Sequence, residues 1–120
     1  MSYIVDNQVV TINDISNTVS ESIKESLGDK LQKIILYGSY ARGDFNENSD
    51  IDLMVLVDIN NDNELQETEK VLWKIGWDIG TEYNTMISIF LKNNRHFQEW
   101  SDAVAYYQNI IRDGVVLYEA

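Results

Sequence analysis

Two short apolar runs, KIILY at residues 33–37 and IDLMVLV at 51–57, constrain the fold of this chain more than any other feature. Each has the length of a strand, is rich in branched aliphatic side chains, and is bounded by glycine, serine or asparagine. Residues 34–37 and 53–57 are therefore expected to be buried strands. That expectation makes their ends conspicuous. The first run stops at Gly38-Ser39, and the second opens with Asp50-Ile51-Asp52. Two carboxylates at the mouth of a buried strand need a physical reason.

The flanking segments supply the layers that such strands must pack against. Ile15, Val19, Ile23 and Leu27 recur every four residues, one stripe of a helix over 14–27, with Asn13 or Asp14 as its cap and Gly28 as its stop. Residues 1–12 read as a short strand or arm. YARGDFNENSD, 40–50, reads as a helical turn followed by a loop. A second amphipathic helix carries Leu65, Thr68, Leu72, Ile75 and Ile79, with Gly76 and Gly80 on adjacent turns where they permit close packing. NTMISIFL, 84–91, is a third strand. Phe97, Trp100, Val104, Tyr107 and Ile111 then mark a last helix, stopped by Gly114 before VVLYE. This order predicts an α/β (α+β) fold in a single domain, 1–120: a small mixed β-sheet with helices packed on one or both faces. Trp73, Trp77 and Trp100 read as core or interface aromatics, core packing being favoured. His96 reads as a surface residue, and the acidic run in 62–69 as a solvated helix start where negative charge is favourable.

Charge narrows the function. With 20 acidic and 9 basic residues the net charge is −11, so the chain gains no long-range attraction to nucleic acid, whose binding relies on Lys and Arg. No polynucleotide substrate is expected, although a locally positive pocket could hold one nucleotide with its metal. Anionic membrane surfaces are disfavoured for the same reason, and no apolar run approaches the ~20 residues of a membrane helix. The start, MSYIVDNQVV, has neither the basic region nor the apolar core of a signal peptide, so a cytoplasmic location is expected. Cysteine is absent and His96 is the single histidine, which removes thiolate and multi-histidine metal sites.

What remains is oxygen chemistry. Residues two apart on a strand project from one face, about 6.6 Å apart along the backbone, so Asp50 and Asp52 can present carboxylates to one point. Their repulsion makes that arrangement unfavourable without a cation between them, and hard oxygen ligands suit Mg2+ or Mn2+. Gly38, at a strand end, lets a ligand approach the backbone. Ser39 opens the next turn with a hydroxyl and N–H groups suited to an anion, and Arg42 adds positive charge within one helical turn. One strand end then grips a polyphosphate while the other holds its metal. Taken singly, Ser39 is a helix cap, Arg42 a surface charge and Asp50/Asp52 a solvated edge; the spacing of all of them carries the functional reading.

The pattern Gly-Ser, ten residues, Asp-x-Asp within YGSYARGDFNENSDIDLMV resembles the signature of the nucleotidyltransferase superfamily that includes DNA polymerase beta, and its small stand-alone members, the minimal nucleotidyltransferases. The resemblance implies that Gly38, Ser39 and Arg42 bind the nucleotide phosphates and that Asp50 and Asp52 are catalytic ligands of Mg2+. It implies transfer of a nucleoside monophosphate from an NTP, ATP first among them, to an acceptor hydroxyl, with pyrophosphate leaving. It also implies a partner: minimal members often pair with a helical HEPN-domain protein, acting as an antitoxin that adenylylates a toxin tyrosine. Members usually carry a third carboxylate on a later strand. If the strand in EYNTMISIFL starts near Glu82, then Glu82, Asn84, Met86 and Ser88 share a face, and only Glu82 is acidic; it reads equally as the last residue of the preceding helix. A catalytically weak nucleotide- or partner-binding module that acts by contact therefore stands as the alternative.

Overall fold

The structure, a computed structural model, describes residues 2–5, 8–43 and 50–120, with side chains from residue 11 onward. It opens with a two-stranded antiparallel ribbon, β1 (Ser2–Val5) and β2 (Gln8–Thr11). Helix α1 (Ile12–Leu27) follows directly. It starts two residues earlier than the apolar spacing suggested, because the cap is Thr11 rather than Asn13 or Asp14. The Thr11 hydroxyl accepts from the Asp14 N–H at 3.2 Å while the Asp14 carboxylate accepts from the Thr11 N–H at 3.0 Å, a reciprocal cap. Gly28, at φ 54°, ends the helix as expected.

The remaining strands form one mixed sheet in the order β5-β4-β3-β6. Strand β3 (Leu31–Tyr37) runs antiparallel to β4 (Ile51–Val57), and the short helix α2 (Ser39–Arg42) lies on the connection between them. Helix α3 (Asp62–Glu82) crosses over to β5 (Ile87–Asn93), which pairs parallel with β4, as a crossover helix permits. Strand β6 (Val115–Glu119), not anticipated as part of the sheet, pairs antiparallel with β3 and forms the far edge. The mixed sheet and the packed helices agree with the predicted fold class.

Strand β4 is central, and six of its seven residues are buried; Asp52 alone is partly open. One face of the sheet packs under α1 and α3: Ile34, Leu36, Leu53, Val55, Ile87 and Ile89 meet Ile15, Val19 and Ile23 from α1 and Leu72, Ile75 and Ile79 from α3. Fully burying an aliphatic side chain of this size is worth about 1.5–3 kcal/mol, so this layer dominates the stability. Gly76 and Gly80 do allow close approach. A Cβ there would stand 3.1 Å from the Ile87 carbonyl and 2.7 Å from the Thr85 carbonyl.

Three expectations are corrected. The third strand begins at Ile87, not residue 84, because α3 ends in a turn: Asn84 adopts a left-handed φ of 52° and the Thr85 N–H bonds the Gly80 carbonyl at 2.9 Å. The last helix is two, α4 (Asn94–Trp100) and α5 (Ala105–Asp113). The break lets Phe97 and Tyr107, which one straight helix would turn apart, pack at 4.7 Å between ring centroids over Met54 and Leu56. Finally, Trp73, Trp77 and Trp100 are 71%, 74% and 51% exposed rather than core. The inward row of α3 is Leu72, Ile75, Gly76, Ile79 and Gly80, and its two indoles project from the flank of the helix beyond that row. His96 is exposed as expected. Among the described residues no helix is long and apolar enough to cross a membrane.

Candidate active site

Tyr37 ends β3 directly opposite Asp52 in the antiparallel register. The chain must then turn away from a half-buried carboxylate, and Gly38 makes that possible in two ways. Its φ of 77° and ψ of −155° suit a residue without a Cβ. A Cβ there would also stand 2.5 Å from Asp52 Oδ2. Helix α2 starts at once with Ser39. The Arg42 N–H bonds the Gly38 carbonyl at 3.1 Å, and the N–H of left-handed Gly43 bonds the Ser39 carbonyl at 2.9 Å. Gly38, Ser39 and Arg42 thus form one tight turn beside Asp52.

Asp50 is exposed just ahead of β4 and Asp52 is partly buried on it. Burial first, and the Asp50 charge second, push the Asp52 carboxyl above its ordinary value, while the Arg42 guanidinium pulls it back. The same guanidinium helps hold Asp113 low at the end of α5, a smaller effect than the bonds from Arg112 at 2.9 and 3.0 Å. The five residues singled out in the sequence therefore lie at one end of the sheet. The donors are two carboxylates without imidazole or thiolate, and their mutual repulsion adds to burial in raising Asp52. That set fits a hard divalent cation.

The third carboxylate position is resolved by register. Asp52 pairs with Ser88 across the parallel β4–β5 ladder, and the Ile51 N–H bonds the Met86 carbonyl at 2.9 Å. Glu82 is the exposed last residue of α3, so it does not share a strand face with Ser88. Among the described residues no group of three or more His, Cys, Asp or Glu could hold a metal together.

Sequence reasoning missed the aromatic residues around this pair. Tyr37 lies beneath, its hydroxyl 2.5 Å from that of Tyr106 on α5, and its ring is 5.8 Å from Tyr106 and 6.5 Å from Phe90 on β5. Burial and the bond to Tyr106 push the Tyr37 hydroxyl far above the usual phenol range, so it stays neutral. Tyr37 adjoins Gly38 in the sequence and Phe90 is two residues from Ser88, which are usable signals; nothing local marks Tyr106. A separate groove of about 690 Å3 runs between α3 and β5, walled by Trp73, Trp77 and Met86. It reaches the site only at Ser88 and Phe90, so the ionic groups stand on an open sheet end rather than inside that groove.

Comparison with known proteins identifies the family. The family model of the nucleotidyltransferase domain matches residues 16–111. A protein of Methanocaldococcus jannaschii named "Putative protein adenylyltransferase" is 32% identical over 100 residues, covering 81% of this chain and 88% of the relative. Among solved structures, a toxin–antitoxin crystallised with AMP-PNP has a TM-score of 0.57 at 22% identity, covering 87% of this chain and 73% of that one. A tri-AMPylated Shewanella oneidensis HEPN toxin in complex with MNT antitoxin has a TM-score of 0.50 at 19% identity, covering 88% and 73%. At these identities the structures speak for the fold. The sequence match over most of the chain settles the family: this protein belongs to the nucleotidyltransferase domain family and is a nucleotidyltransferase.

Proposed function

We propose that the chain moves AMP from ATP to a hydroxyl of a protein partner or small molecule, with Asp50 and Asp52 holding Mg2+ (Mn2+ being an alternative) and Gly38, Ser39 and Arg42 receiving the triphosphate. The observation that supports this most is the packing of Asp52 on the Gly38 turn, with Asp50 and Arg42 both within electrostatic reach of its carboxylate. A divalent ion held by Asp50 and Asp52 would offset the charge that grows as the α-phosphate is attacked. The chain's own residues do the rest. Gly38 lets a phosphate approach the backbone, Ser39 offers a hydroxyl, and Arg42 opposes the negative charge. In the reaction the acceptor oxygen forms a bond to the α-phosphorus. The bond from that phosphorus to the α–β bridging oxygen breaks, pyrophosphate leaves with its electron pair, and the hydroxyl proton passes to solvent.

A protein acceptor is favoured because the M. jannaschii relative is named for protein adenylylation. The toxin–antitoxin neighbours, one with AMP-PNP and one holding an AMPylated HEPN toxin, support an antitoxin role beside a helical HEPN-type partner. The net charge of −11 keeps polynucleotides out of the list of acceptors. Incubating the protein with Mg2+, ATP radiolabelled at the α-phosphate and a helical HEPN-type protein should label that protein. Asp52→Asn should abolish the label.

One observation favours a second reading. Ser88 faces Asp52 where a carboxylate would add a ligand and a base, and a missing general base typically costs about 10²–10⁴-fold in rate. A slow enzyme that restrains its partner by contact would bind that partner tightly, in the same experiment, without labelling it.

A further inference from the structure

The groove of about 690 Å3 between α3 and β5 follows the outer side of β5. That strand is an edge of the sheet, and among the described residues no strand pairs with its free side. Trp73, Trp77 and Met86, which wall the groove, are 71%, 74% and 62% exposed. Large apolar side chains beside an unpaired strand edge have the chemistry of an interaction surface. Alternation along β5 gives this one two sides. Ile87 and Ile89 point into the α3 layer with Leu53 and Val55, whereas Ser88 and Phe90 point to the face that carries Asp52. The groove is lined from both sets, so it passes over the β5 edge and ends at the ionic site. Ser88 is the register partner of Asp52, about 4.8 Å away across the ladder.

We infer that this groove seats the acceptor: an extended segment of a partner protein, apolar with basic flanks, laid along the β5 edge so that its hydroxyl-bearing residue passes Ser88 to reach Asp52. The inference rests on the nucleotidyl-transfer reading of the Asp50/Asp52 site and adds the surface that selects the acceptor. Backbone chemistry favours an extended segment, because an edge strand offers its free N–H and C=O groups to another strand and not to a helix. Length agrees. From Trp73 to Thr81 the α3 wall is about 12 Å long, the span of about four extended residues. Between the indoles and β5, Gly76 and Gly80 contribute no side chain, which leaves room for alternate apolar residues of the segment. Charge sets the sign of the flanks. Glu82 is exposed just past Thr81, at the end of the groove where Asp50 and Asp52 lie. A net charge of −11 attracts a basic segment and repels a second copy of this chain.

The labelling reaction, with the HEPN-type protein as acceptor, tests this on wild type, Trp73→Ala/Trp77→Ala and Trp73→Phe/Trp77→Phe. Both positions are exposed, so the melting temperature should move by no more than about 4 °C. We expect the alanine pair to raise the acceptor KM about 10- to 100-fold, with kcat and Mg-ATP affinity within about threefold of wild type. The phenylalanine pair should recover most of the loss. An unchanged acceptor KM in the alanine pair would overturn the groove while leaving the transfer reading intact, as would a loss confined to kcat or to Mg-ATP affinity. A wild type that sediments as a dimer, and as a monomer once the indoles are replaced, would overturn it too, since a second copy would then fill the groove. Wild type that labels nothing would overturn the transfer reading. Calorimetry with the HEPN-type protein then decides the docking surface by itself: binding weakened by the alanine pair supports it, and absent or unaltered binding overturns it.

Discussion

Asp52 and Gly38 are packed so closely that the carboxylate occupies the space a side chain on residue 38 would need: Oδ2 lies 2.5 Å from the position of an added Cβ. The glycine is thus tied to the acid it faces as well as to its own backbone angles.

Gly38→Ala should therefore do two kinds of damage. Alanine at φ 77° and ψ −155°, a region essentially confined to glycine, costs about 1–3 kcal/mol, and displacing Asp52 adds to it, so urea denaturation should show a loss of at least about 1–3 kcal/mol. Mg-ATP affinity, followed by calorimetry, should fall at least about tenfold, because the displaced carboxylate no longer faces Asp50's ligand. An alanine variant with native affinity would separate the turn from the site.

Asp52 gives the pH dependence. Its carboxyl is raised by burial and then by Asp50, with Arg42 opposing. A carboxyl raised in the folded state contributes stability that is fully present below its unfolded value of 3.8 and is lost as pH rises through the folded value. Metal-free protein should accordingly lose this contribution between 3.8 and the raised value. Asp52→Asn should melt about 2–5 °C higher than wild type at neutral pH with EDTA present, and no higher at pH 3. Added Mg2+ should stabilise wild type at neutral pH, do so less in acid, and leave the asparagine variant unmoved. Thermal melts at the two pH values, with and without metal, check all three outcomes.

Ser88 faces Asp52 across the β4–β5 ladder. Ser88→Asp places a third carboxylate there, so metal-free stability should drop while Mg2+ affinity rises. If proton removal limits the proposed transfer, its rate should rise by about 10²-fold. Rates measured with the partner protein would show it. A variant that binds Mg2+ no better than wild type would mean that position 88 does not face the ion.

Gly80→Ala tests the helix–sheet spacing. Alanine gains about 1 kcal/mol of helix propensity, but its Cβ would meet the backbone carbonyl of Thr85 at 2.7 Å. Overpacking against backbone costs about 1–3 kcal/mol and should win, leaving a net loss of up to about 2 kcal/mol in urea denaturation. A stabilised variant would mean that α3 can lift away from β5 freely.

The sequence by itself determined most of what short-range physics controls. Continuous apolar runs marked 51–57 and most of 31–37 as buried strands, spacings of three and four residues marked α1 and α3, and the Gly38-Ser39 and Asp50-x-Asp52 pairs stood at the strand ends where the site lies. Steric rules and periodicity act within a few residues, so they leave legible traces. Tertiary structure decided which strands are neighbours, that Val115–Glu119 joins the sheet, that Ser88 and not an acid stands beside Asp52, and that the Tyr106 hydroxyl meets that of Tyr37, 69 residues away. It also left Trp73 and Trp77 in solvent. Those outcomes depend on which apolar faces bury one another across the whole chain, and no local pattern encodes that choice.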